Sequence, residues 1–161
     1  MRLRKNHTKL WKVASLFFVN FLLQTTSAFA LGNVAPNLFI CLVTVLLVKG
    51  FGGSKILWVA TFFVFLSDQC LTTEPPVTWI PFLLTSLILY GATCRINPNN
   101  RLLLPIGIIG ATICYYLLLW IFAGLLAHDP GFVSVVKKLT ACSVYNLAVT
   151  LILNRLVKEK R

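Results

Sequence analysis

The sequence predicts an all-α integral membrane protein, a compact bundle of six transmembrane helices forming one polytopic domain over 1–161. Composition is the first reason: 58% of residues are hydrophobic and 12% charged, so a fold in water would leave large apolar patches on its surface. The placement of positive charge is the second. Of the 15 Lys and Arg residues, all but Lys137 and Lys138 fall before the first apolar segment, in or at the edge of every second gap between segments, or at the end of the last segment and beyond it. Short loops rich in Lys and Arg stay cytoplasmic, so six crossings with both termini inside put this charge on one side. The net charge of +11 sits at the ends of apolar runs and is not interleaved with polar recognition segments, which argues against a nucleic-acid footprint. Anionic lipid headgroups are the expected counter-charge.

The first segment, 13–31, follows Arg2, Arg4, Lys5, Lys9 and Lys12 and is interrupted by Asn20, Gln24, Thr25, Thr26 and Ser27. A basic start, an apolar core and Ala28-Phe29-Ala30 also resemble a secretory leader. We expect the segment to be retained as a span. Segments two (34–49) and three (56–71) are short. Their uninterrupted apolar cores, 38–48 and 56–66, would each reach about 17 Å as helix, against about 30 Å of hydrocarbon. Extension through 33–37 and 67–71 is expected to close most of that deficit, with tilt or local thinning absorbing the rest. A re-entrant hairpin at Gly50-Phe51-Gly52-Gly53 is the alternative, and it would hold Lys49 and Lys55 at depth at about 2.5 to 3.5 kcal/mol each.

Pro75 and Pro76 end an outer loop before segment four (77–94), whose first turn tolerates Pro81. Asn97-Pro98-Asn99-Asn100 reads as a cytoplasmic turn between Arg95 and Arg101. Segment five (102–126) is the longest uninterrupted apolar run, and its Leu and Ile faces suit lipid. His128-Asp129-Pro130-Gly131 separates it from segment six (132–157), where Lys137 and Lys138 can extend their long side chains to the outer headgroups.

Residues suited to catalysis are scarce. Proton transfer, nucleophilic attack and metal binding need ionisable groups, and both His7 and His128 lie outside the apolar runs. No phosphate-binding, dinucleotide or serine-hydrolase motif occurs. Cys41, Cys70, Cys94, Cys114 and Cys142 are scattered without a Cys-x-x-Cys pair and are expected to pack as small apolar side chains. No cofactor, metal or enzymatic activity is expected. Asp68 ends segment three and has two readings: a carboxylate reaching interfacial water, or an inward-facing acid bonded to neighbouring helices. Gln24, Asn37, Tyr145 and Asn146 are the other polar candidates, read as interhelical hydrogen bonds or partner contacts worth about 0.6 to 2 kcal/mol each.

Leu22-Leu23-Gln24, Ala35-Pro36-Asn37-Leu38, Leu66-Ser67-Asp68 and Tyr145-Asn146, in that order and spacing, resemble the bacterial rod shape-determining MreD family. The basic start and end also fit. Members commonly carry Gly about two residues before the third-segment acid, where this chain has Phe65-Leu66-Ser67. The resemblance implies a non-enzymatic multi-pass scaffold in the bacterial cytoplasmic membrane. It would bind MreC, a single-span protein, and through it join MreB filaments, RodA and its penicillin-binding transpeptidase in peptidoglycan synthesis. A competing class is the substrate-binding subunit of an energy-coupling factor transporter, also about six short-looped helices. Its usual Ala-x-x-x-Ala docking pattern is missing from the first segment, where Ala14 and Ala28 are isolated.

Overall fold

A computed structural model describes residues 10–26, 35–50, 53–71, 78–95, 102–125 and 132–157. The described residues are all helical or connecting, with six helices and no strand. In chain order these are α1 (Leu10–Thr25), α2 (Leu38–Val48), α3 (Ser54–Leu71), α4 (Trp79–Arg95), α5 (Leu103–Leu125) and α6 (Phe132–Leu156). Ala28-Phe29-Ala30, Pro75-Pro76, Asn97 to Asn100 and His128 to Gly131 lie outside the described residues.

Local sequence sets where the helices start and stop. Pro81 and Pro105 each sit in the first turn of their helix, where a missing N–H interrupts no intrahelical bond. Asn37 caps α2 by accepting from the Ile40 N–H at 3.2 Å. At the other end Gly50 takes φ +70°, a left-handed conformation that costs a glycine little, and its N–H returns to the Leu47 carbonyl at 3.0 Å.

Packing is organised around α2. Ten of its 11 residues are buried, and it is the one helix that touches all five others. The remaining helices form an open ring in the order α1, α3, α4, α5, α6, with no close approach between α1 and α6 among the described residues. Phe39 of α2 meets Phe82 of α4 edge-on at 6.4 Å, while Phe63 of α3 packs on Phe17 and Phe21 of α1 at 6.5 and 6.3 Å. Small residues bring α5 close to α2: a Cβ at Gly107 would lie 3.6 Å from Thr44 Cγ2 and 3.7 Å from Leu89 Cδ1.

The outer surface of this ring is apolar. Phe18, Phe62, Ile88, Ile106, Ile121 and Val144 are all exposed, the last by 73%. Two helical stretches, Leu103–Leu125 and Val135–Leu156, are long and apolar enough to cross a membrane.

Segment two departs from expectation. The flank 35–37 is not helical: Pro36 precedes the Asn37 cap, and α2 begins only at Leu38. A residue before proline is held out of helical conformation, which stops α2 from growing backwards. Within this stretch Pro36 is buried, Asn37 half-buried and Ala35 exposed.

Candidate functional site

Four of the five polar residues singled out from sequence carry two helix-capping clusters. The first lies at the N-terminus of α2, where helix geometry leaves backbone N–H groups without intrahelical acceptors. The Asn37 N–H donates to Asn146 Oδ1 of α6 at 2.8 Å, and the Leu38 N–H to Gln24 Oε1 of α1 at 3.0 Å. With Asn37 capping Ile40, side chains from α1, α6 and the entry to α2 satisfy three donors of one helix end.

Asn146 is the hub of this cluster and is fully buried. Its Nδ2 donates to Thr112 Oγ1 of α5 at 3.1 Å, and the Thr112 hydroxyl donates to the Ile108 carbonyl at 2.8 Å. Because that hydroxyl has its single proton on Ile108, it can only accept from Asn146, which fixes the orientation of the amide. The Cys41 thiol donates to the Asn146 carbonyl at 3.5 Å, and the Cys142 thiol, one α6 turn earlier, to the Ala35 carbonyl at 3.7 Å. The non-helical backbone at 35–37 thus finds donors and acceptors on α6, the condition under which irregular backbone is tolerated away from water.

Asp68 forms the second cluster. It sits in the last turn of α3, where its own helix dipole disfavours an acid, and faces the start of α4, where the dipole favours one. Its Oδ2 accepts from the backbone N–H groups of Thr78 at 2.9 Å and Trp79 at 3.2 Å, and its Oδ1 accepts from the Thr78 hydroxyl. The buried Tyr115 of α5 lies against the Thr78 and Asp68 pair. Of the two readings left open for Asp68, the structure favours the inward one: the residue is 6% exposed and joins α3 to α4.

Tyr145 stands apart. One position before Asn146, it points about 100° away round α6 and is half-buried, and none of the capping bonds involves it. Thr112, Thr78, Cys41 and Cys142 are participants the sequence reading did not single out. Thr112 had a signal, as the one hydroxyl residue between Leu102 and Cys114, and Thr78 another, as a capping residue type just before Trp79. A thiol that bonds a backbone carbonyl across helices leaves no sequence trace.

Positive charge gathers at the opposite end of the bundle. Lys12 begins α1, Lys49 follows α2, Lys55 begins α3, Arg95 ends α4 and Arg155 closes α6. Lys49 Nζ donates to the carbonyls of Asn154, at 2.7 Å, and Val157, capping the C-terminus of α6 where its dipole favours a cation. With Asn146 holding its start and Asn154 its end, α2 is fastened to α6 at both ends. No group of His, Cys, Asp and Glu suited to a metal ion occurs among the described residues.

A comparison of the chain with protein-family models, with characterised proteins and with solved structures finds no match.

Proposed function

We propose that this protein is a non-enzymatic scaffold of the MreD type, a six-span bundle in the bacterial cytoplasmic membrane that docks the transmembrane helix of an MreC-like partner. The observation that carries this reading is the use made of the residues behind the family resemblance. Gln24, Asp68 and Asn146 each bond a backbone N–H at the start of another helix, and Asn37 caps its own helix while donating its N–H to Asn146. Residues used in this way shape a bundle and leave little for substrate chemistry.

The apolar outer surface and the five cations at one end support membrane insertion with that end cytoplasmic. Topology has a direct test. In a variant whose cysteines are reduced to one at a time, native Cys70 should react with a membrane-impermeant maleimide in intact cells, whereas Asn99→Cys and Ser54→Cys should react only after permeabilisation. Outside labelling of either of the last two would overturn the six-span topology.

Partner docking follows from the open ring. Among the described residues the end helices α1 and α6 each lack a neighbour on one side, and they carry more Ser and Thr than α5. Trp introduced at Thr26 or Ser143 is expected to weaken co-purification of the MreC-like protein by at least about tenfold, while Leu118→Trp leaves it unchanged; tenfold corresponds to about 1.4 kcal/mol. Loss only in Leu118→Trp would place the partner on the wrong face. The same purification separates the competing transport reading, which gains some support from the non-helical stretch before a half-length helix, a feature of transporter sites. A transport subunit would bring down an ATPase pair. Here the start of α2 is already bonded to protein side chains, so scaffolding remains the conclusion.

A further inference from the structure

We infer that Tyr115 and Tyr116 of α5 are positioning residues that tie the Asp68 cap and the α2 cap into one cooperative unit, so that loosening one cap loosens the other. This coupling goes beyond the scaffold reading and holds whatever partner docks.

Neighbouring residues on a helix point about 100° apart, and the two tyrosines use that angle to face different clusters. The buried Tyr115 puts its hydroxyl against Thr78. Thr78 has its single hydroxyl proton on Asp68 Oδ1, so its oxygen can only accept from Tyr115. Asp68 in turn holds the N–H groups of Thr78 and Trp79 at the start of α4. On the other side the Tyr116 hydroxyl donates to Cys142 Sγ of α6 at 3.1 Å, and the buried Cys142 thiol donates to the Ala35 carbonyl at 3.7 Å. Ala35 is two residues from Asn37, whose N–H is bonded at 2.8 Å to Asn146, one α6 turn beyond Cys142.

The two arms meet at the tyrosine rings, which pack edge to face with centroids 5.4 Å apart. A shift of one ring therefore displaces the other. Each hydroxyl or thiol along the arms has one proton and one place to put it, and hydrogen bonds in series polarise one another, so removing a link unsettles the groups beyond it. The relay runs from α3 through α4, α5 and α6 to the entry of α2. A displacement of α6 at its open side is thereby felt at the α3–α4 junction.

Thiol labelling tests the coupling. In the full chain with Cys41, Cys70, Cys94 and Cys114 replaced by Ala, the buried Cys142 should react slowly with N-ethylmaleimide. Tyr116→Phe keeps the ring and removes the bond to Cys142; it should raise the labelling rate about fivefold, the factor that one ordinary hydrogen bond is worth. Thr78→Val removes the hydroxyl between Asp68 and Tyr115 and leaves both backbone N–H groups on Asp68. It should raise the Cys142 rate about threefold from the far side of α5. Because that effect reaches Cys142 only through Tyr116, Thr78→Val should add nothing once Tyr116→Phe is present, whereas unconnected links would multiply.

Thr44→Cys, with Cys142 also replaced by Ala, reports on opening of the deep core, and Thr78→Val should leave its labelling unchanged. An unchanged Cys142 rate in Thr78→Val, or a rise as large with Tyr116→Phe as without it, would overturn the coupling while leaving each cap and the scaffold reading standing. Equal acceleration of Thr44→Cys would mean that Thr78→Val loosens the whole bundle, which overturns the relay as well.

Discussion

Replacing Asn146 with Leu should destabilise the bundle by about 2 kcal/mol, one of the two largest effects expected of a single polar side chain here. The side chain is fully buried, and Leu of similar volume leaves the Asn37 N–H with no acceptor at the start of the central helix. A buried donor left unpaired costs about 1 to 3 kcal/mol, more than the net value of the bond it lost. The Thr112 oxygen also loses a donor, but its hydroxyl remains bonded to Ile108, so that side of the cluster suffers less. Interhelical bonds in membranes average only about 0.6 kcal/mol because partly unfolded states find other partners. That relief is smaller here, since the orphaned group is backbone held in place by Pro36 and the α2 cap. Thermal or denaturant unfolding in detergent micelles measures the loss, with exposed Thr140→Val as the control within about 0.5 kcal/mol. A double-mutant cycle with Thr112→Val should give a coupling of about 1 kcal/mol. If Asn146→Leu unfolds like the control, the amide is a bystander.

Asp68→Leu should cost about 3 kcal/mol, because it orphans the backbone N–H groups of Thr78 and Trp79 at once and removes a negative charge from the start of α4. Asp68→Asn separates the two contributions. An amide oxygen can still accept from both N–H groups, so this variant should lose only about 1 kcal/mol, mostly charge. Complex formation should follow the same order if the α3–α4 hairpin helps to shape the docking surface. Asp129→Leu, next to Pro130-Gly131 in the sequence, provides the comparison. Matching stability and partner retention in Asp68→Leu and Asp129→Leu would mean that the Asp68 cap carries no structural weight.

How much of this was legible in advance differs from residue to residue. Gln24, Asn37, Asp68 and Asn146 drew attention because amides and acids at the ends or within apolar runs are expensive unless bonded. That cost is a property of the residue and its neighbours in sequence. The bonding partners were not legible. Asn37 and Asn146 are 109 positions apart, and nothing in either segment specifies that one meets the other. Lys49 shows the same limit: it was read as a loop cation, yet its ammonium caps a helix end 105 to 108 positions away.

Helix content, approximate helix limits and the gathering of Lys and Arg in alternate gaps were determined by the sequence alone. They depend on local quantities: hydropathy over a turn or two, the missing N–H of proline, and the charge of short connections. Tertiary structure alone decided that α2 is the centre of the bundle, although it is the shortest of the six helices. It also decided that the flank 35–37 is non-helical backbone bonded to α6. An apolar 11-residue run has no polar face to declare which way it points, so its position depends on five neighbours at once. Side chains from distant helices then complete its capping, because a buried helix end must find its hydrogen-bond partners wherever packing has put them.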